Sequence, residues 1–401
     1  MENEMIFKRD LSESIARFTK FPVIAILGPR QSGKTTLARH YFKNHIYLNF
    51  EKPSVREEAK NDPEQFLKRH SNEHGIILDE FQYVPEILSY IQLEADEKNL
   101  HGYFVLTGSS NYLMNESITQ SLAGRIAILT LLPLSIHEIE QYVKFASIDQ
   151  AILQGGYPRL HEQKLNPDDL YPSYIHSYLE RDVRQFENVP NLHTFQLFMK
   201  LCAGRIGQLL NIDDIATNCG VDHKTINRWL SVLEAGYIIF LQQPFFKNFN
   251  KRITKSPKLY FYDTGIACSL LGIKTEKELL SSYLRGHLFE NFITADFYKQ
   301  YYQLATSPSI YFWRDQNGRV EIDCLIQQGS TLIPIEIKSS LTIQSAFFSQ
   351  LQTFAELSKT DNITQAYVIY AGEELQDRGN ITVLGWQKAG GLIKKLELER
   401  T

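Results

Sequence analysis

The chain has 401 residues, of which 43% are hydrophobic and 22% charged, with a net charge of −4 at pH 7. This length exceeds one ordinary core and predicts two to four domains, while the slightly acidic balance excludes a chain-wide basic field, so any nucleic-acid surface must be local. The four cysteines (Cys202, Cys219, Cys268, Cys324) are far apart with no C-x-x-C pair, which argues against structural zinc or a disulfide framework and fits a reducing cytosol.

Short apolar runs alternate with helical stretches in the first part of the chain. VIAIL (23–27), HIYLNF (45–50), GIILD (75–79), GYFVLTG (102–108) and IAILTLLPL (126–134) predict a parallel sheet covered on both faces. After Pro133 the pattern is mainly helical through YIHSYLERDVRQF (174–186), and 191–250 reads as a small helical module. A bridging region, 251–285, precedes a return to mixed α/β, with strands expected at 309–314, 320–327, 331–337 and 366–370. The predicted units are therefore a P-loop ATPase core at 1–145, a helical lid or linker at 146–190, a winged-helix module with its bridge at 191–285, and a nuclease-like α/β domain at 286–401. The N-terminal MENEMIFKRDLSES lacks the apolar core of a signal peptide, and no apolar run approaches the ~20 residues of a membrane span. A cytoplasmic protein with no membrane partner is expected.

The strongest motif is GPRQSGKT, Gly28 to Thr35, entered from an apolar strand and followed by a helical pattern. Gly28 and Gly33 allow the tight loop, and the backbone from Pro29, Arg30, Gln31 and Ser32 to Thr36 can surround a phosphate at a helix N-terminus. Lys34 brings a cation to the β- and γ-phosphates of ATP, and the Thr35 hydroxyl can ligate Mg²⁺. The second half of such a site is expected at GIILDEFQYVP, where Asp79 would hold Mg²⁺ through water and Glu80 would activate the attacking water. Thr107, Ser109, Ser110 and Asn111 end a third strand, as γ-phosphate sensors or as an ordinary turn. Arg125 stands before the last strand; it would stabilise transition-state charge in its own subunit or a neighbour's, or form a surface salt bridge.

LLNIDDIATNCGVDHKTINRWLSVLEAGYIIFLQQPFF (209–246) reads as a helix–turn–helix. Asp222, His223, Lys224, Asn227 and Arg228 fall on the outer side of its second helix, able to meet phosphates and base edges. GYIIFLQQPFFKNFNKRITK suits two wing strands with a basic end at Lys247, Lys251, Arg252, Lys255 and Lys258. DNA contact and packing as a lid both remain open for this module. Further on, Asp323 in VEIDCLI is followed by Glu336 and Lys338 in IEIKSS, an acid on one strand and E-x-K on the next. Residues two apart on a strand share a face, so Glu336 and Lys338 point together, as do Glu321 and Asp323. Glu290 on a preceding helix would complete a metal-binding set, and Gln350 would meet phosphate or metal-bound water.

Taken in order, GPRQSGKTTLARHYF, ILDEFQYVPEIL, LTGSSNYLM, LAGRIAILTLLPLSIHE, LQGGYPRL, PKLYFYDTGIACSLLG, LRGHLFENFI and YFWRDQNGRVEIDCLI…PIEIKSS resemble a widespread group of prokaryotic AAA-type ATPases. The resemblance covers nearly the whole chain. It implies an ATPase module, a winged-helix segment and a C-terminal domain similar to PD-(D/E)xK nucleases. The expected fold is thus an α/β P-loop ATPase sheet with flanking helices, a winged helix and a restriction-nuclease-like domain. The expected function is Mg²⁺-dependent ATP hydrolysis, associated with DNA, that regulates the winged helix and the nuclease-like domain. The alternative is an ATP-dependent switch binding a protein partner, with an inert nuclease fold. Homo-oligomers are expected on the ground that a neighbour's arginine often completes AAA-type sites.

Overall fold

Five strands build the first sheet: β1 (Val23–Gly28), β2 (Ile46–Asn49), β3 (Ile76–Asp79), β4 (Phe104–Ser109) and β5 (Ile126–Thr130). They are hydrogen-bonded in the order β2-β3-β4-β1-β5, all parallel. Every residue of β1 is buried, and the period of two divides them. Val23, Ala25 and Leu27 join the core cluster on one face, Ile24 and Ile26 that on the other. Covered on both sides, the strand reads as a continuous apolar run. The order places β4 between the strand that feeds the glycine loop and the strand that ends in Asp79. Three sequence segments therefore converge at one end of the sheet. The last strand stops at Thr130, short of the expected 134.

The molecule is a computed structural model that describes residues 7–98, 100–109, 121–179, 183–184, 192–246, 256–315, 317–358 and 363–400. Ser110, Asn111, Lys247, Lys251, Arg252 and Lys255 lie outside the described residues. No described helix is long and apolar enough to cross a membrane.

The middle of the chain folds as expected in its first half and differently in its second. Helix Ile212–Cys219 is capped by Asn211, whose side chain accepts from the Asp214 amide. It ends at Gly220 with φ 65, the left-handed region where glycine carries no Cβ penalty. Helix His223–Ala235 starts at Asp222, which accepts from the Thr225 amide. Trp229 packs between Phe195 and Phe198, with ring centroids 5.2 and 5.4 Å away. Two antiparallel strands follow, β6 (Ile239–Gln242) and β7 (Lys258–Phe261). The second begins beyond the stretch expected to supply it. KLYF is the fully buried run, and burial outweighs proximity in choosing the partner.

The C-terminal sheet has six strands: β8 (Ile310–Arg314), β9 (Glu321–Gln328), β10 (Thr331–Lys338), β11 (Ala366–Tyr370), β12 (Gln376–Arg378) and β13 (Ile381–Gly385). Their order is β12-β13-β11-β10-β9-β8, with β10, β11 and β13 mutually parallel and the rest antiparallel. The β12–β13 hairpin was not anticipated. Its signal is the turn at Gly379, φ 69, between runs too short to stand out. Helix Arg285–Gln303 packs on this sheet and also on the first domain. One hydrophobic cluster runs from Leu132 to Leu396, joining the helices that follow the first sheet, the helix pair, β6–β7 and one face of the C-terminal sheet. β6–β7 also abuts the sheet edge: the Phe245 amide donates to Phe312 O at 2.7 Å, and Gln242 Nε2 to Tyr311 O at 3.0 Å.

Candidate functional site

The glycine loop turns at the C-terminal end of β1. A Cβ on Gly28 would stand 2.1 Å from Leu131 O, so only glycine fits there. Gly33, φ 92, precedes helix Lys34–Tyr41, so the loop runs directly into a helix N-terminus, the end of a helix that favours an anion. Lys34 is buried beneath the loop, its ammonium donating to Pro29 O at 2.6 Å. Ser32 is fully buried, with no hydrogen-bond partner for its hydroxyl among the described residues.

Across the sheet, Asp79 is buried at the end of β3. Its Oδ1 accepts from Thr35 Oγ1 at 2.9 Å and from Thr107 Oγ1, and its Oδ2 from Tyr47 OH at 2.6 Å. Thr35 and Asp79, expected to serve one cation, therefore touch, and the pair fits Mg²⁺: a hydroxyl and a carboxylate beside a loop that holds phosphate. Glu80 follows with φ 55. This left-handed geometry is costly for a residue with a Cβ and turns the chain sharply at the site. Burial pushes the Glu80 carboxyl above the usual range, and the charge of Lys34 only partly opposes it.

A cavity of about 1290 Å³ opens on this cluster, lined by Arg30, Gln31, Gly33, Lys34, Thr35, Thr36 and Glu80. Phe7, Tyr142, Pro158 and Arg159 line the same cavity. Phe7 and Tyr142 meet edge to face with centroids 4.8 Å apart. Ser109, one strand over, keeps its hydroxyl without a hydrogen-bond partner among the described residues.

Arg125 is not part of this cluster. Its carbonyl accepts from the Val23 amide, at the far end of β1 from the loop, and its guanidinium binds Asp96 at 2.5 and 2.9 Å on the surface. With a strand rise of ~3.3 Å per residue, the five residues from Val23 to Gly28 separate it from the loop by roughly 16 Å. The structure thus corrects the expectation that Arg125 serves the site of its own subunit. Besides Arg9 and Arg30, the cavity wall carries Arg159, in the GGYPRL segment, which was not singled out.

Sequence reasoning also missed Arg9. Its guanidinium donates to Ser32 O at 2.6 Å, Leu132 O at 2.7 Å and Glu138 Oε1 at 3.0 Å, all buried. Glu138 is doubly used: its Oε2 accepts from the Ser135 amide at 3.0 Å, closing a capping box, and its Oε1 also takes the Asp10 amide at 2.8 Å. The only available signal was the S-x-x-E box in PLSIHE. The pairing with Arg9, 129 residues away, had no sequence trace. One step further, the Ile136 amide donates to Asp296 Oδ1 at 2.7 Å and Lys299 Nζ to Leu134 O at 3.0 Å, both partners on helix Arg285–Gln303. Buried hydrogen bonds, joined through the backbone of residues 132–136, thus lead from the glycine loop to the C-terminal domain.

The second acidic cluster lies where β9, β10 and that helix meet. Tyr311 opposes Leu325 while Trp313 opposes Ile322, so Asp323 and Cys324 share the place of one partner residue. This bulge breaks strict alternation and re-aims side chains. Asp323 Oδ2 accepts from the Ile337 amide at 2.8 Å, and Glu321 reaches Lys258 Nζ at 2.5 Å. Glu336 is buried, bonded to Lys338 through Oε1, with no hydrogen bond to Oε2 among the described residues. Burial raises the pKa of both Asp323 and Glu336, with repulsion from Glu290 adding to it at Asp323 and repulsion from Asp323 at Glu336. Glu290 Oε1 accepts from Lys258 Nζ at 3.0 Å and Tyr260 OH at 2.5 Å. Gln350 Oε1 accepts from the Glu321 amide at 3.3 Å. The expected residues are therefore neighbours, but among the described residues no group of three or more His, Cys, Asp or Glu side chains is gathered for a metal ion.

On the helix pair, Asp222, His223, Lys224, Asn227 and Arg228 are all exposed as expected. Asp213 and Asp214 are exposed beside them, and His223 faces Asp213 at 3.4 Å. The surface is mixed in charge rather than a basic stripe.

The parallel sheet, the glycine loop over a buried lysine, and the Thr35–Asp79 pair define an α/β P-loop ATPase core. Residues 20–140 match the model of an AAA domain. Residues 146–277 and 285–388 match two domains of unknown function (DUF8612 and DUF4143). Similar full-length proteins include an uncharacterized protein of Mycobacterium tuberculosis, 27% identical over 374 residues, covering 92% of this chain and 81% of the relative. Another is an uncharacterized protein of Methanocaldococcus jannaschii, 22% identical over 380 residues, covering 87% and 82%. Among solved structures, a Walker-type ATPase of Pyrococcus abyssi aligns with 15% identity and a TM-score of 0.46, over 67% of this chain and 97% of that one.

Proposed function

We propose that the protein is a Mg²⁺-dependent ATP hydrolase whose turnover repositions the helix pair and the C-terminal domain, acting in association with DNA. The observation that carries hydrolysis, beyond binding, is Glu80: a carboxylate of raised pKa on the wall of the phosphate cavity, next to the Thr35–Asp79 pair. Glu80 takes the proton of the attacking water. Lys34 and the loop amides hold the charge that develops on the phosphates, and Arg159 supplies the arginine. Thr35 and Asp79 would hold Mg²⁺, which neutralises phosphate charge when bound. Phe7 and Tyr142 offer an aromatic wall for the base. Coupling is supported by the buried chain Ser32–Arg9–Glu138 and its continuation to Asp296 and Lys299.

The DNA assignment rests on the winged-helix reading of the helix pair with β6–β7, through Lys224 and Arg228. The test measures ATP turnover of wild type, Lys34→Ala and Glu80→Gln with and without duplex DNA, and DNA affinity of Lys224→Ala/Arg228→Ala against salt. Loss of turnover in both loop-site variants supports hydrolysis there. Unchanged DNA affinity and salt slope in the double variant would sink the DNA assignment. A second reading, an ATP-driven switch with an inert nuclease-like domain, is favoured by the mixed charge of the helix pair and by the lysine inside the C-terminal cluster.

A further inference from the structure

Glu290 and Glu321 come from different elements, the helix Arg285–Gln303 and the strand β9, and one ammonium bridges them. Lys258 Nζ lies 3.0 Å from Glu290 Oε1 and 2.5 Å from Glu321 Oε1. A divalent cation in a two-carboxylate notch makes the same bridge. The Glu290 oxygen that binds Lys258 also takes the Tyr260 hydroxyl at 2.5 Å, so both its lone pairs are engaged. We propose that Lys258 is the built-in cation of the C-terminal carboxylate cluster, standing on its Glu290–Glu321 side in the place of a metal ion. That side accepts no metal while β7 is docked.

Lys258 is not a surface lysine folded inward. It is 3% exposed, with Nζ 5.6 Å from the Phe312 ring centre. Its backbone is tied down on both sides: β7 pairs with β6, and the Gly207 amide donates to Leu259 O at 2.8 Å. The hairpin is pinned to the cluster by Gln242 Nε2, which donates to Asp323 O at 3.2 Å. A divalent ion added beside Glu290 would stand within a few ångströms of a fixed positive charge, and the repulsion in this poorly solvated position is large. Removing Lys258 alone would leave Glu290 without its ammonium, a vacancy of the right charge for a metal. Because Lys258 arrives on the strand pair of the middle module, docking of that module decides whether this side of the cluster opens. The inference does not depend on ATP hydrolysis, since it concerns nucleotide-free protein.

The test counts Mn²⁺ bound per chain by electron paramagnetic resonance on nucleotide-free full-length protein. Glu290→Gln should bind as many ions as wild type. Lys258→Met should bind one more, and the extra ion should vanish in Lys258→Met/Glu290→Gln. Loss of one ion on placing Glu290→Gln in the otherwise wild-type chain would overturn the proposal. So would a Lys258→Met protein, folded by circular dichroism, that gains none. If Lys258→Met does not fold, the wild-type and Glu290→Gln counts decide alone, because Glu321 still pairs Lys258 in that variant.

Discussion

Asp79 and Glu290 are both carboxylates that accept a tyrosine hydroxyl, at 2.6 and 2.5 Å, and both were expected to serve a metal. Asp79 takes its other contacts from the Thr35 and Thr107 hydroxyls, neutral groups that leave its charge for an arriving cation. Glu290 takes its other hydrogen bond from the Lys258 ammonium, a full positive charge that it shares with Glu321. Burial alone would push the Lys258 ammonium down, but Glu290, Asp323 and Glu321 outweigh it and hold its pKa up. Two acidic sites with similar residue inventories thus differ in what fills them. The lesson is that a carboxylate's neighbours, more than its presence, decide whether it can bind metal.

The comparison is broken most directly at Glu80. Glu80→Gln should lower kcat by about 10²–10⁴-fold while leaving ATP binding intact, in steady-state turnover and equilibrium binding. With the Glu80 pKa raised, the general base is lost as pH falls at a higher pH than for an ordinary carboxylate. The acid limb of the rate profile should be displaced upward accordingly and should disappear in Glu80→Gln. Lys34→Ala should cost about 10²–10³-fold in turnover by removing the charge held under the loop.

A third change separates support from chemistry. Arg9→Ala leaves Glu138 fully buried without its cation, a loss of about 3–5 kcal/mol in denaturant unfolding. Breakage of the glycine-loop support should appear with it, as weaker nucleotide binding. In the second site the sign is opposite. Asp323 and Glu336 have raised pKa values in the folded state, so their neutral forms stabilise it, and stability falls as pH rises above the ordinary carboxylate range. Asp323→Asn should flatten that fall, read from unfolding midpoints across a pH series. The smallest effect is expected for Arg125→Ala. Turnover of dilute protein should stay within about twofold, since its partner is the exposed Asp96. A turnover loss seen only at high protein concentration would instead show that Arg125 serves a neighbouring subunit.

The loop site was legible because its parts are local or ride on strand ends. A strand, two glycines, a lysine and a hydroxyl around Gly28–Thr35 carry their geometry with them, and a carboxylate closing the buried run GIILD emerges at the C-terminal end of the parallel strands, where the loop also lies. The β1–β5 sheet was readable for the same reason, since strands buried on both faces are apolar throughout. Arg125 was misplaced because a parallel sheet separates strand beginnings from strand ends by its full length, which residue order alone does not reveal.

The C-terminal cluster shows the limit. The types Asp323, Glu336 and Lys338 and their spacing on two strands were readable, since a two-residue repeat is a property of the backbone. The bulge at Asp323, the Arg9–Glu138 clamp and the Lys258 bridge were not. The bulge is an irregularity of pairing that residue spacing does not mark; the clamp and the bridge join segments far apart in the chain, where burial of a charge must be balanced by an opposite charge, and only the folded packing decides which one is near enough to do it.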